Sequence, residues 1–210
     1  MYRDRAQAGE RLAALLGERG IQGDIVLAVP RGGLPVGRVV ADALGIPLDI
    51  VVARKMGAPG NPELAIGAVA SDGSVWRNQG LIQQLGVDDA YLEEARQREA
   101  ANAREKFDRY RGDHPDPELA GKTVLIVDDG VATGATTVAC IRLAYSQGAR
   151  RVVLAIPVAP PESIRRLERE VDVVIAAETP EWFMAVGQFY SEFGQVSDEE
   201  AMQYLTPGKR

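Results

Sequence analysis

Residues 124–137 read VLIVDDGVATGATT, and the interpretation of the chain starts from this stretch. Its first four residues are apolar, which is typical of a buried parallel strand. Two adjacent carboxylates, Asp128 and Asp129, follow the strand, and Thr133 and Gly134 then open a segment with helical spacing. Open α/β sheets bind their ligands where strands end. The order of strand, polar loop and helix therefore predicts a ligand site here.

The second half of this loop has the properties of an anion site. The N–H groups at a helix N-terminus are unpaired, and the helix dipole favours a phosphate there. A glycine lets the backbone approach closely, and threonine hydroxyls add donors. The predicted phosphate-binding residues are Ala132, Thr133, Gly134, Ala135, Thr136 and Thr137.

The first half of the loop has the opposite chemistry. Ionised carboxylates only accept hydrogen bonds, so they suit the hydroxyls of a sugar or the water shell of Mg²⁺. A diol site beside a phosphate site fits a ribose 5-phosphate. The alternative is structural: two solvated turn residues followed by a plain helix cap. Other phosphate motifs are absent, since the chain has no GxxxxGK[ST] and no GxGxxG opening its first helix.

Strands and helices alternate on both sides of this stretch. The predicted strands are 25–29, 49–53, 123–127, 152–157 and 171–176, with helices at 4–20, 36–44, 135–147 and 161–170. This alternation predicts an α/β fold, a three-layer, doubly wound and mainly parallel sheet.

Residues 56–117 interrupt the alternation and are predicted to be an insertion. Residues 56–62 have the composition of a loop, and a hairpin is predicted to join 65–70 to 75–77. A long charged helix over 88–111 follows. Its thin apolar content predicts a place on the surface or against a partner subunit, which favours a homodimer.

One domain is predicted over residues 1–210, with a core at about 21–177 and a C-terminal segment at about 178–210. The net charge of −6 gives no basic footprint, so nucleic acid is not an expected partner. No apolar run approaches the ~20 residues that span a bilayer, and the N-terminus has no signal core. The expected compartment is the cytoplasm. The single cysteine, Cys140, is predicted to be a buried thiol, and the single histidine, His114, a bystander.

Residues 127–136 resemble the signature of the type I phosphoribosyltransferase superfamily, which binds 5-phosphoribosyl diphosphate (PRPP). The resemblance implies that Asp128 and Asp129 bind the ribose hydroxyls and that the following loop holds the 5-phosphate. One departure is Gly130, where the family usually carries a branched apolar residue. The whole-chain pattern is similar to the uncharacterised members of the superfamily, whose acceptors are not settled.

A second loop, residues 29–37 (VPRGGLPVG), resembles the family's diphosphate loop. Arg31 supplies charge there, and Gly32 and Gly33 bring backbone N–H groups close to the ligand. In the family this loop often contains a non-proline cis peptide. Taken alone, Arg-Gly-Gly fits a plain turn as well.

Two adjacent cations, Arg54 and Lys55, follow the predicted strand 49–53. A buried strand that ends in two cations indicates an anion nearby, the alternative being a solvated strand end. The resemblance implies that Lys55 contacts the diphosphate and that residues 56–63 form a mobile flap. The implied catalytic residues are Asp128, Asp129, Lys55 and Arg31.

The implied reaction displaces diphosphate from C1 of the ribose by a ring nitrogen of a base. Mg²⁺ is the implied cofactor, held mostly by PRPP, with Asp128 and Asp129 acting directly or through water. The acceptor base is open. Ala132 stands where 6-oxopurine enzymes carry an acid, which disfavours hypoxanthine and guanine, and enzymes for adenine and orotate also lack that acid.

The family builds its base-binding hood from chain ends outside the core, which here implies residues 178–193. Trp182 or Phe183 would stack on the base, although aromatic residues in such a tail also pack against a sheet. The alternative to an enzyme is a regulator of the same fold that senses PRPP or a nucleotide without turnover. Retention of Arg31 and Lys55 favours the enzyme, because a sensor need not stabilise a departing diphosphate.

Overall fold

The computed structural model describes residues 1–112 and 114–206. The helices are α1 Arg5–Glu18, α2 Gly33–Leu44, α3 Gln79–Leu85, α4 Asp89–Arg111, α5 Ala135–Ser146, α6 Pro161–Leu167 and α7 Asp198–Leu205. The strands are β1 Ile25–Ala28, β2 Leu48–Ile50, β3 Ala53–Ala58, β4 Asn61–Ala70, β5 Val75–Arg77, β6 Thr123–Val127, β7 Arg151–Val158 and β8 Val173–Glu178. None of the helices in these two ranges is long and apolar enough to cross a membrane. The last four residues of the predicted C-terminal segment 178–210 lie outside the described residues.

The main sheet is parallel, with the strand order β2-β1-β6-β7-β8. Alternate residues of β6 face opposite layers, as the period of a strand requires. Leu125 and Val127 join a core cluster with α1 and α2, while Val124 and Ile126 join a cluster with α5. The predicted α/β fold with helices on both faces of a mainly parallel sheet is therefore confirmed.

A second, antiparallel sheet has the order β3-β4-β5 and covers the outer side of α5. Ala68 and Trp76 belong to the cluster around α5, and Met56 and Ile66 pack on the opposite face against α3 and α4. The predicted hairpin between 65–70 and 75–77 is present as β4 and β5. The molecule is thus layered as helices, main sheet, α5 with α6, second sheet, and α3 with α4.

Two predicted boundaries in this region are wrong. The predicted strand 49–53 is divided, because β2 ends at Ile50 and β3 begins at Ala53. Arg54 and Lys55 therefore lie inside β3, paired with β4, and not at a strand end. The predicted loop 56–62 is also strand, except for a tight turn at 59–60 in which Gly60 has a φ of 72°. The prolines and glycines of residues 56–62 occur at this turn and at the irregular pairing of β3 with β4 beside it.

The long helix α4 is capped by Asp88, whose Oδ1 accepts the N–H of Tyr91 at 2.7 Å. Its few apolar residues pack within the chain. Leu92 and Ala95 contact the second sheet, and Phe107 and Tyr110 belong to a cluster with β2 and α7. Helix α4 therefore lies on the surface, as expected, with its few apolar side chains packed within the chain. The homodimer stays a prediction.

Candidate functional site

The two loops singled out in the sequence leave the main sheet side by side. Strands β1 and β6 are parallel neighbours, and Ala28 pairs in register with Val127. The N–H of Val29 donates to the carbonyl of Val127 at 2.9 Å. The loop after β1 (residues 29–33, the glycine loop) and the loop after β6 (residues 128–134, the acid loop) therefore begin at the same level of one sheet edge.

The glycine loop has no room for side chains where it meets the acid loop. A Cβ on Gly32 would lie 2.0 Å from Oδ2 of Asp129, and a Cβ on Gly33 would lie 2.7 Å from the carbonyl oxygen of Val127. Both glycines are needed for this close approach. The peptide between Pro30 and Arg31 is cis, as the family resemblance implies.

The two acids are partly buried. The N–H of Asp129 donates to Oδ1 of Asp128 at 2.8 Å. Burial raises the pKa of Asp128 well above its usual range, and repulsion from Asp129 adds to the shift. Burial also raises the pKa of Asp129, while a hydrogen bond from Arg5 opposes the rise. The acid loop thus holds two carboxyl groups whose charged forms are disfavoured in the absence of a ligand.

Arg5, in the first turn of α1, binds Asp129, and the sequence did not predict this contact. Its Nε donates to Oδ2 of Asp129 at 2.8 Å, and both side chains are nearly buried, at 12% and 13% exposure. The same guanidinium lies 3.9 Å from the ring centre of Phe193 and donates to the carbonyl of Gly194 at 2.7 Å. Arg5 thereby joins the acid loop to the C-terminal segment.

The C-terminal segment also explains the unusual Gly130. A Cβ there would lie 2.6 Å from Cγ1 of Val186. The space that a branched side chain would fill is therefore taken by a residue from the C-terminal segment. In addition, the hydroxyl of Tyr190 donates to the carbonyl of Asp129 at 2.6 Å. These contacts pack residues 186–194 against the acid loop.

Helix α5 begins without a side-chain cap. Its N-cap is Gly134, with a φ of 71°, and no side chain bonds the first amide groups. Ala132 and Thr133 are exposed and Thr136 is half-buried, whereas Thr137 is only 1% exposed. The first-turn amides are available to a ligand, but the side chain of Thr137 belongs to the core and not to the exposed surface of the loop.

A pocket of about 420 Å³ adjoins these loops. Its walls include Pro30 of the glycine loop, Thr136 of α5, and both Arg54 and Lys55 of β3. Lys55 pairs with Glu63 at 3.3 Å and Arg54 with Glu99 at 3.4 Å. Although the strand boundary was wrong, the structure brings both predicted cations to one pocket with the ends of β1 and α5. Helix α4 forms the opposite wall.

Arg31 points to a partner outside the predicted site. Its Nη1 lies 3.3 Å from Oδ1 of Asp198, the first residue of α7. Asp198 also accepts hydrogen bonds from Tyr110 and Arg109. The bond from the Tyr110 hydroxyl is the main cause that lowers the pKa of Asp198. Helix α7 was not predicted, so this anchor for Arg31 was missed as well.

The two stacking candidates differ in position. Trp182 is 90% exposed, while the ring of Phe183 packs 5.2 Å from that of Phe189. His114 is exposed in the polar loop after α4, and Cys140 is fully buried, as expected. Neither of these last two residues contributes to the site.

The side chains of the candidate site could supply only a few of the ligands that a metal ion needs. Within residues 1–112 and 114–206, no group of three or more His, Cys, Asp or Glu side chains is arranged to hold a metal ion. Asp128 and Asp129 offer two carboxylates, and one of them is already bonded to Arg5. Such a site suits Mg²⁺ only when a bound ligand supplies the remaining oxygens.

Comparisons with known proteins show which structures and sequences this chain is similar to. The crystal structure of TT1426 from Thermus thermophilus is 42% identical, covers 98% of this chain and 97% of its own, and superposes with a TM-score of 0.84. A purine phosphoribosyltransferase from Pyrococcus horikoshii shares the fold at 19% identity, with a TM-score of 0.51 over 94% of this chain and 97% of its own.

A Mycobacterium tuberculosis protein named "Putative phosphoribosyl transferase" is 38% identical over all 210 residues of this chain but over 47% of its own length. The chain thus spans about half the length of the curated relatives it matches. The family model described as "Phosphoribosyl transferase domain" matches residues 2–193. The chain therefore belongs to the phosphoribosyl transferase domain family.

Proposed function

We propose that the protein transfers the 5-phosphoribosyl group of PRPP to a nitrogen base with release of diphosphate, or catalyses the reverse reaction. The observation that carries this proposal is the uncapped N-terminus of α5 directly after two partly buried acids. A cation-lined pocket beside them supplies a place for the diphosphate. A phosphate site, a diol site and a diphosphate site would together take up the three parts of PRPP.

Each part of the ligand has its own donors or acceptors. The amides of residues 132–137 and the hydroxyls of Thr133 and Thr136 would bind the 5-phosphate. Asp128 and Asp129 would accept the ribose hydroxyls. The diphosphate would contact the backbone at Gly32 and Gly33 and the cations Arg31, Arg54 and Lys55.

In the reaction, a ring nitrogen of the base donates an electron pair to C1 of the ribose. The bond between C1 and the diphosphate oxygen breaks, and its electron pair leaves with the diphosphate. Negative charge therefore grows on the leaving group, and Lys55 and Arg31 would stabilise that charge more in the transition state than in the ground state. Bound Mg²⁺ would neutralise part of the same charge, with Asp128 and Asp129 holding it directly or through water.

The acceptor is a heterocycle whose identity the site leaves open. Ala132 at the acid loop supplies no carboxylate to a purine ring. Trp182 in the proposed hood is exposed and has its ring faces available for stacking, whereas Phe183 already packs on Phe189. Of the two candidates, Trp182 is better placed to meet a base.

A second candidate function is a PRPP or nucleotide sensor without turnover. The observation that favours it is that two of the proposed catalytic side chains already form ion pairs with other residues of the chain. Asp129 is bonded to Arg5, and Arg31 is bonded to Asp198. A sensor would use ligand binding to exchange these internal pairs for new ones and so move the N-terminal helix or α7.

Turnover separates the two functions. The protein is incubated with PRPP, Mg²⁺ and a panel of purine and pyrimidine bases, and diphosphate release and nucleotide formation are followed together. The enzyme predicts nucleotide formation with at least one base, abolished by Asp129→Asn and retained by Asp89→Asn, a matched change at an exposed aspartate on α4. Saturable PRPP binding without diphosphate release across the panel would support the sensor. Absence of PRPP binding would exclude the enzyme and a PRPP sensor.

A further inference from the structure

Helix α4 forms one wall of the pocket that holds Arg54 and Lys55, and it presents a row of polar side chains there. Tyr91, Arg98 and Lys106 all line this pocket of about 420 Å³. Their spacings of seven and eight residues place them on one face of the helix. The insertion that carries α4 therefore contributes its own functional groups to the site.

Lys106 differs from the other cations of the pocket in its partners. Arg54, Lys55 and Arg98 each lie within 4 Å of a glutamate. In the part of the chain that the structure describes, Lys106 has no acid within that distance. Its Nζ donates to the carbonyl oxygen of Pro30 at 3.4 Å and lies 5.4 Å from the centre of the Tyr110 ring.

The surroundings of Lys106 disfavour its charge when no ligand is bound. The side chain is half-buried, and burial is the main cause that lowers its pKa. Repulsion from Arg31, Arg54 and Arg109 lowers the pKa further, while Asp198 opposes the shift. A half-buried cation among other cations costs free energy unless an anion joins it. The carbonyl of Pro30 fixes the place of the ammonium group at the start of the glycine loop.

We propose that Lys106 is a diphosphate-binding residue that reaches the site from the opposite wall to Lys55. The proposal rests on the proposed function, because the diphosphate is that of PRPP. The ammonium group of Lys106 would bond to non-bridging oxygens of the diphosphate next to residues 30–33. The leaving group would then be held between β3 on one side and α4 on the other.

The test measures binding of three ligands by calorimetry: PRPP with Mg²⁺, inorganic diphosphate with Mg²⁺, and ribose 5-phosphate. Lys106→Gln should weaken binding of PRPP and of diphosphate by about tenfold to a hundredfold, the usual range for one charged hydrogen bond. It should leave ribose 5-phosphate binding unchanged, since that ligand has no diphosphate. Lys106→Arg should retain most of the affinity for PRPP.

Lys122→Gln is the matched control, because Lys122 precedes β6 at the opposite edge of the sheet. It should bind all three ligands as the unsubstituted protein does. Thermal unfolding separates ligand binding from a structural role. A half-buried lysine with arginines nearby and no acid within 4 Å adds little stability to the fold, so Lys106→Gln should melt at the same temperature or higher.

Three results would overturn the inference: equal diphosphate affinity in Lys106→Gln and the unsubstituted protein, a loss of ribose 5-phosphate binding as large as that of diphosphate, or a loss of diphosphate binding that follows a fall in melting temperature. Absence of PRPP binding by the unsubstituted protein would instead refute the proposed function, on which the inference depends. The two failures are therefore distinguishable.

Discussion

At the scale of single residues, the buried acids of the site work against folding. Burial raises the pKa of Asp128, and the repulsion from Asp129 has the same sign. A carboxyl group whose pKa is higher in the folded than in the unfolded chain favours folding at a pH below its unfolded value. That advantage is lost as the pH rises through the folded value. At neutral pH, the buried carboxyl group of Asp128 therefore destabilises the folded protein relative to low pH.

Asp128→Asn should accordingly stabilise the metal-free protein at pH 7 by about 1 kcal/mol. Asparagine keeps an acceptor oxygen for the N–H of Asp129, which now donates at 2.8 Å, so the change removes the charge and keeps this bond. The gain should shrink as the pH falls towards about 4, the unfolded value for aspartate. Urea unfolding of both proteins from pH 4 to pH 8 measures this. A variant less stable at pH 7 would contradict the account.

Residue types predicted part of the site, but not its supporting contacts. Asp128, Thr133 and Gly134 were identifiable because their functional types stand together in a few residues at a strand end. Arg5 lies 124 positions from Asp129 in the sequence, and Arg31 lies 167 positions from Asp198. Neither Arg5 nor Asp198 stands in a recognisable motif, and a single sequence contains no signal for contacts over such distances.

At the scale of elements, the hairpin of β3 and β4 shows why strand boundaries failed where fold class succeeded. The apolar runs of the main sheet are buried on both faces and are therefore continuous. Strand β3 carries two exposed cations and three small residues, and β4 starts with four exposed positions. Hydrophobic periodicity detects burial, so strands that extend into a polar pocket resemble loops.

Gly57 is the tightest point of this hairpin. A Cβ there would lie 2.5 Å from Cα of Pro62 and 2.6 Å from its carbonyl oxygen, and neither backbone atom can move independently. Gly57→Ala should destabilise the fold by about 1–3 kcal/mol, the usual cost of overpacking. It should also weaken diphosphate binding, because Lys55 lies two residues away on the same strand. Denaturant unfolding and calorimetry measure the two effects.

Gly80→Ala is the control for that experiment, since Gly80 lies in α3 on the outer layer with no atom closer than 3.9 Å to the added Cβ. Alanine favours a helix, so this variant should be as stable as the unsubstituted protein or more so. Equal losses in both variants would show that the contact with Pro62 is not the cause.

Arg5 adds side-chain contacts between the N-terminal helix and the C-terminal segment to the backbone hydrogen bonds that residues 2 and 3 make there. Besides its bond to Asp129, its guanidinium stacks on Phe193 and binds the carbonyl of Gly194. Arg5→Met should remove these contacts while the side chain keeps a similar length. Amide exchange of Ser191 and Glu192, which donate to the backbone of residues 2 and 3, should then accelerate by about tenfold.

Mass-spectrometric hydrogen exchange, resolved by peptide, measures this effect. Arg11→Met is the matched control variant, because Arg11 lies on the same helix. Its side chain is exposed and forms only a long ion pair, 3.9 Å from Glu18. In Arg11→Met, amide exchange in residues 190–194 should be the same as in the unsubstituted protein. In both variants, amide exchange in β6 should stay slow. Acceleration of equal size in both variants would mean that helix α1 as a whole holds the C-terminal segment.

At the scale of the whole molecule, the proposed ligand contacts come from three layers, and α5 and one buried cluster already join the main sheet to the second sheet. The glycine loop and the acid loop belong to the main sheet, Arg54 and Lys55 to the second sheet, and Lys106 to the outer helix. The division into a core, an insertion at 56–117 and a C-terminal hood stays a prediction. A ligand that spans these parts would make their unfolding cooperative.

Binding of PRPP with Mg²⁺ should therefore raise the melting temperature of the whole domain in a single transition. A ligand at a hundred times its dissociation constant stabilises the folded state by about 2.7 kcal/mol, or roughly 5–10 °C for a chain of about this size. Differential scanning calorimetry with PRPP, diphosphate and ribose 5-phosphate measures the shift for each part of the ligand. Asp129→Asn should lose most of the shift with PRPP and keep that with diphosphate. If PRPP instead split the transition and moved only one part, the second sheet would unfold independently of the ligand, and the contacts proposed for Lys55 and Lys106 would be wrong.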